Sequence, residues 1–338
     1  MTPALILRPH GRLGNHILQW ITGMTLARQV PGLTLHNFAL PPWGLAAGGY
    51  RRQQPFLPAL VEQDSDLAMV ADMMRSEQMP LTRLRCMVLQ AEAWGDPERF
   101  RQLLPLGDSP VETSGPDEIL LNVRAEEILK ARHPDYGPIP LGFYNAVLRK
   151  TGLKPVFMGQ LGNDSYSRLL RDAFPMARFL PSQGVRGDFD AMRRARHLAL
   201  SVSTFSWAAG WLSDAESVHV PVLGFLNPAQ RPDISLLPRG DARFRYYGFA
   251  PRQWTASATQ VADLRDMSPP LVMPPETVEV LRQSAEQARV EARRKDGERL
   301  KAAARRAHPF VPLMRRIYAT AKLQQSKLAE AFVLAGGP

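Results

Sequence analysis

The strongest constraint on this chain is an alternation. Between Glu118 and Val222, short apolar runs take turns with helix-like stretches. Glu118 to Val123 (EILLNV), Val156 to Met158, Arg178 to Leu180, His197 to Ser203 and Val218 to Val222 read as strands. Leu141 to Arg149, Tyr166 to Ala173, Phe189 to Arg196 and Phe205 to Leu212 read as the helices between them. The first run is nearly continuous in apolar residues, as expected of a strand buried on both faces of a parallel sheet. Such alternation predicts a doubly wound α/β domain, whose ligands bind beyond the carboxyl ends of its strands.

An earlier block repeats the theme. Ala4 to Leu7 reads as a strand, His10 to Asn15 as a loop, and Ile17, Ile21, Met24 and Arg28 as the spacing of a helix. Leu33 to Phe38 predicts a strand, Asp66 to Arg75 a helix, Arg83 to Gln90 a strand, and Pro97 to Leu104 a helix opened by proline. The turn cluster SPVETSGPD, Ser109 to Asp117, separates the blocks. A length of 338 residues suits two domains. The expected division is 1–112, 113–275 and a helical tail, 276–338.

The tail also carries most of the charge. The chain has Lys+Arg 42 against Asp+Glu 32, a net +10, and from Glu276 onward 13 basic residues face 7 acidic ones. Glu276 to Ala307 reads as a polar helix interrupted by Gly297, either a solvated face or a packing arm. Beyond it Leu313, Ile317, Ala321, Leu328 and Phe332 form a stripe beside Arg315, Arg316, Lys322 and Lys327. That pattern fits an anionic membrane surface, and equally a helix packed on the body or on a partner subunit. Nucleic acid is not an expected partner, because the tail lacks interleaved aromatics. Cys86 is the single cysteine, no run reaches the length of a membrane span, and Met1 to Arg8 lack the pattern of a signal peptide. The expected location is the cytoplasm, free or peripheral on the inner face of its membrane through the tail.

Three loops present groups suited to an anion. Gly11-Arg12-Leu13-Gly14-Asn15-His16 joins a strand to a helix: glycine permits close approach, the helix start offers N–H groups, Arg12 a charge and Asn15 an amide. It is neither a dinucleotide fingerprint nor a P-loop. Arg124, in Asn122-Val123-Arg124-Ala125-Glu126-Glu127, ends a strand and suits a bidentate diphosphate contact, although pairing with Glu126 or Glu127 is the plainer role. Ser203, Thr204 and Ser206 open a helix, where hydroxyls cap or bind phosphate.

Together GRLGNH, the strand ending in Arg124, and STFSWAAGWL (Ser203 to Leu212) resemble the bacterial α-1,2-fucosyltransferases, glycosyltransferase family 11, over roughly Leu5 to Asn227. The resemblance implies a GT-B fold, two Rossmann-like domains facing a cleft, and inverting, metal-independent transfer of a sugar. The donor would be a nucleotide sugar, GDP-fucose, and the acceptor a glycan or lipid-linked glycan of a lipopolysaccharide, capsule or exopolysaccharide. It implies donor contacts from Gly11, Arg12, Gly14, Asn15 and Arg124, with Ser203, Thr204, Phe205 and Ser206 lining the donor pocket and Asp188 near the base. The family's H-x-R-R-x-D motif reads here as Asn122, Arg124, Ala125 and Glu127, so its His, second Arg and Asp are replaced. A different donor, or a catalytically silent nucleotide-sugar or glycan-binding module, therefore stands beside the first reading.

For a catalytic base the sequence offers Glu126, Glu127 and His16, with Glu127 first because it stands where the family has an acid. His133 and Asp135 mark an acceptor-side loop, while His197 and His219 read as structural. Asp64-Ser65-Asp66 and Asp188-Phe189-Asp190 read as helix caps rather than metal ligands, so no metal or other cofactor is expected.

Overall fold

The computed structural model describes residues 2–51 and 58–307. The first sheet is built from β1 (Ala4–Leu7), β2 (Thr34–His36), β5 (Ala59–Val61) and β6 (Leu81–Leu84), all parallel, in the order β2-β1-β6-β5. Helix α1 (Leu13–Gln29) joins β1 to β2, and α2 (Leu67–Arg75), capped by the Asp66 carboxylate, joins β5 to β6. Asp66 thus takes the capping role expected of its triplet.

Two expectations need correction here. The strand expected over Leu33 to Phe38 breaks at Asn37 (φ 60), after which β3 (Phe38–Leu40) pairs with β4 (Leu45–Ala47) in a separate hairpin. The strand expected over Arg83 to Gln90 occupies Leu81–Leu84 instead. Cys86 to Leu89 are apolar but form a tucked-in loop whose carbonyls are served from outside any sheet, Cys86 by the Gln19 amide, Met87 by the Thr22 hydroxyl and Leu89 by the Ser235 N–H. Helices α3 (Ala91–Trp94) and α4 (Pro97–Leu103) follow, with proline opening the second.

The second sheet contains β7 (Glu118–Val123), β8 (Lys154–Gly159), β9 (Arg178–Phe179), β10 (His197–Ala199), β11 (Ser217–Val222), β12 (Phe244–Gly248) and β13 (Leu271–Met273), ordered β13-β12-β11-β10-β7-β8-β9. Every pairing is parallel except β12–β13. Its connections include α5 (Glu127–Lys130), α6 (Leu141–Thr151), α7 (Ser165–Ala173), α8 (Gly184–Arg194), α9 (Thr204–Trp211) and α10 (Ala258–Asp263). The architecture is therefore α/β with two parallel, Rossmann-like sheets. Helix α8 begins well before the expected Phe189, which places Asp188 inside it rather than at its cap.

The two sheets share one apolar core. Trp94, from the first half, meets Trp207 and Trp211 of α9 with ring centroids 5.8 and 5.6 Å apart, and Phe100 closes the group 5.8 Å from Trp211. Aromatic pairs in such offset or edge contacts each contribute about 0.5–1.5 kcal/mol beyond their burial. The buried indole N–H groups are satisfied, Trp94 by Thr22 Oγ1 and Trp207 by the Leu236 carbonyl.

After β13, α11 (Pro275–Ala307) runs back towards the first sheet. It buries Val278, Ala285 and Arg289. Arg282 donates to the carbonyls of Leu237 and Pro238, and Arg289 lies 3.4 Å from the Ile234 carbonyl. The helix is a packing arm in this stretch. Gly297 does not interrupt it, and the Arg294–Glu298 pair spans that position. Among the described residues no helix is long and apolar enough to cross a membrane. The stripe from Leu313 to Phe332 lies outside the described residues.

Candidate functional site

Strand order locates the site before any side chain is considered. In the second sheet the chain leaves β7 towards β8 and β9, then returns on the other side as β10, so the crevice beyond β7 and β10 is a topological switch point. Arg124 follows β7, and Ser203 and Thr204 follow β10. In the first sheet the same logic selects the ends of β1 and β6, and the loop carrying Gly11 to Asn15 follows β1. The sequence motifs thus stand at both switch points.

The first wall is the start of α1. Arg12 is its N-cap residue, in extended conformation, and among the described residues no side chain caps the helix there. Its leading N–H groups and partial positive charge are left for an anion. Gly11 sits at φ 72, which glycine adopts without strain, and a Cβ there would lie 3.0 Å from Asn15 Cγ. Gly14 answers to a different demand. A Cβ on it would fall 2.6 Å from Phe205 Cα and 2.9 Å from Thr204 C, so its bare backbone is what lets α1 touch the start of α9. At the same contact Thr204 donates its hydroxyl to Asn15 Oδ1 at 2.6 Å.

The second wall is the turn after β7. Arg124 Nη2 lies 2.9 Å from Glu127 Oε1, and Arg12 Nη2 reaches the same oxygen at 3.2 Å from the start of α1. The other oxygen, Oε2, accepts from the Gln160 amide at 2.9 Å. Arg124 is only 25% exposed, and its Nε is buried without a hydrogen-bond partner among the described residues. Burial holds its guanidinium below the ordinary value, with Glu127 opposing that shift and Arg12 adding to it. Glu126 occupies φ 54, a region that costs a non-glycine residue about 1–3 kcal/mol. Gln160 steadies this turn by accepting from Ala125 N–H and donating to Glu126 Oε2 at 3.2 Å. Nothing in the sequence pattern singled out Gln160, because a lone Gln after a strand has no spacing signature.

The α9 start places its residues unequally. Ser203 caps the helix through Phe205 N–H, and Phe205 packs 5.2 Å from the Phe189 ring. Ser206, expected at the donor pocket, is fully buried, and its hydroxyl is committed to the carbonyls of Ser201 and Ser203. Ser201 in turn donates to Asn122 Oδ1 at 2.6 Å. Asn122 and Ser206 therefore stitch β7 to the β10–α9 turn beneath the crevice.

The remaining candidates scatter around this centre. His16 is half-buried on α1, its pKa lowered by burial and by His10. Asp188 points back to Ser182 Oγ and Gln183 N–H, both at 2.7 Å, and so is occupied in closing its own helix start. His133 accepts from Asp135 N–H, and Asp135 pairs with Arg231 at 2.7 Å. The same loop brings in Tyr136, whose ring lies 4.3 Å from His133. Burial raises the Tyr136 pKa, and the charge of Arg124 opposes that rise.

No protein-family model matches the chain, and no curated protein matches it. Among solved structures it is similar to FUT1 of Arabidopsis thaliana in complex with GDP, at 12% identity over 65% of this chain and 70% of that one, TM-score 0.42. It is also similar to E. coli ADP-heptose lps heptosyltransferase II, at 12% identity over 84% of this chain and 98% of that one, TM-score 0.40. E. coli heptosyltransferase WaaC with ADP gives 12% identity over 77% and 98%, TM-score 0.39. These are distant likenesses.

Proposed function

We propose that this chain is a glycosyltransferase that holds a nucleoside-diphosphate sugar at the paired switch points and transfers the sugar to a hydroxyl of a glycan. The observation that carries the reading is the convergence of Arg12 and Arg124, from different sheets, on one oxygen beside the uncapped start of α1. A departing diphosphate gains negative charge as the C1–O bond to the sugar breaks. Cations and N–H groups fixed at that position stabilise the transition state more than the ground state. The acceptor oxygen bonds to C1 from the opposite face, inverting it, and its proton passes to a cleft base, for which Glu126, Glu127 and His16 are the candidates.

The finer reading takes L-fucose from GDP-fucose as donor and a surface-glycan precursor as acceptor. It rests on the resemblance of GRLGNH, Arg124 and STFSWAAGWL to the bacterial α-1,2-fucosyltransferases. It further holds that no metal is needed, that the enzyme works in the cytoplasm, and that the basic tail touches anionic membrane. A second reading, a nucleotide-sugar or glycan-binding module without turnover, is favoured by Asn122, which stands where that family has His and is enclosed in a structural network with Ser201. Release of GDP from GDP-fucose with and without acceptor, in EDTA, decides between them. Turnover that survives chelation supports the enzyme reading. Nucleotide binding without release supports the module, and activity restored only by manganese or magnesium overturns the metal-free mechanism.

A further inference from the structure

The Glu127 carboxylate lies where the two crevice arginines meet. Its Oε1 is shared between Arg124 Nη2 at 2.9 Å and Arg12 Nη2 at 3.2 Å, while Gln160 holds Oε2. Glu126, next to it, adopts the strained backbone that turns the chain back into the crevice. A carboxylate bridging two guanidinium groups reproduces, on a smaller scale, what a phosphate oxygen would do there. The contact is also incomplete. Arg124 offers only one arm to Glu127, and its buried Nε has no partner among the described residues, so the fork has capacity that one carboxylate oxygen leaves unused.

From this arrangement we infer that Glu127 is an internal anion, a latch that joins the two walls of the crevice and is displaced when a diphosphate binds. The inference rests on the donor-site reading above and adds what the donor must do on arrival. Relative energies make displacement feasible. Glu127 is 41% exposed and Arg12 69% exposed, so their pairing is of the screened, weak kind, whereas a diphosphate brings several charged oxygens to the same donors. The displaced carboxylate stays close through Gln160, which also binds Glu126, so its repulsion of the incoming anion persists and lowers affinity. Glu127 thereby acts as a positioning and selectivity residue: it favours ligands with enough charge to take both arginines at once over singly charged anions.

The test measures binding of GDP and of inorganic pyrophosphate to the full chain by calorimetry, in wild type, Glu127→Gln and Glu127→Asp, with melting curves on the same samples. Removing the charge while keeping the shape should tighten both ligands about fivefold to thirtyfold, the sum of two weak ion pairs. Inorganic phosphate should gain at least as much, so that selectivity for the diphosphate narrows. Glu127→Asp, too short to reach both arginines, should fall between and serves if Glu127→Gln does not fold. Wild-type GDP binding that neither substitution tightens overturns the latch and leaves the donor site intact. Tightening for pyrophosphate but no binding of GDP upholds the latch and removes the nucleotide reading. Binding of neither ligand to any variant overturns both.

Discussion

Arg12 and Arg124 reach the same oxygen from opposite walls, yet only one of them is built in. Arg12 is 69% exposed on an uncapped helix start, whereas Arg124 is 25% exposed at the end of a buried six-residue strand. The turn that follows Arg124 is tied down by Gln160, and the layer beneath by Asn122 and Ser201. The difference separates two uses of positive charge. A fixed, desolvated cation is already arranged for the charge that develops as a bond breaks, while an exposed one attracts and screens. The second wall should therefore govern turnover and the first wall capture.

The widest gap is expected in rates. Arg124→Ala should lower turnover by about 10² to 10³, and Arg124→Lys should rescue it poorly, because an ammonium lacks the planar fork. Arg12→Ala should cost about tenfold or less, chiefly in KM, and the loss should shrink as salt rises and screening takes over. Initial rates at two ionic strengths decide this. Equal losses would erase the distinction between the walls, and a folded Arg124→Ala with normal turnover would reduce that residue to a partner of Glu127. Stability should divide the first wall itself. Gly14→Ala forces a methyl into the α9 start and should destabilise by about 1–3 kcal/mol in urea, whereas Arg12→Ala should change stability by less than about 0.5 kcal/mol.

The rigidity of the second wall depends on the sheet behind it, where His219 bonds Tyr247 at 2.9 Å. Burial holds the His219 pKa down at about 4, with Arg245 and His197 adding to the effect. Below about pH 6.5 the unfolded chain takes a proton that the folded one refuses, so stability should fall from there to about pH 4 and be flat above, at roughly 1.4 kcal/mol per unit at most. His16 and His133, also lowered, contribute with the same sign. Melting temperature against pH, with His219→Gln flattening the curve, checks the sign. A modest effect belongs to the bond between the walls. Thr204→Val removes the donor to Asn15 and should cost about 1 kcal/mol, with little change at Arg124.

The second sheet was the more legible half, and the reason is physical. EILLNV and SVHVPV are buried on both faces, so their sequence has little freedom, and the end of the first places Arg124 by position alone, whereas the strand expected over His197 to Ser203 stops at Ala199 and leaves Ser203 as the cap of α9. Reading failed where apolar residues are buried without being strands. The Cys86 to Leu89 loop is indistinguishable from a strand until Gln19, Thr22 and Ser235 are seen to take its partners' place. Helix α8 begins earlier than its apolar spacing indicates, because its first turn, Gly184 to Gly187, holds two glycines and a single apolar residue, Val185. At the site, residues were legible when they belonged to a turn with its own pattern, as Arg12, Asn15 and Glu127 do. Gln160 and Tyr136 enter through tertiary placement, which leaves no local trace.

Gly14 has a meaning for how such loops are decoded. The space it leaves open is claimed by the start of α9, where Thr204 stands 189 residues from its partner Asn15. A glycine in a strand-to-helix loop is commonly taken as a message about the ligand. Here the message concerns the other half of the chain, and it is written in backbone clearance. The same few letters thus encode two independent instructions: Arg12 sets a charge at the crevice, and Gly14 specifies how closely its walls stand.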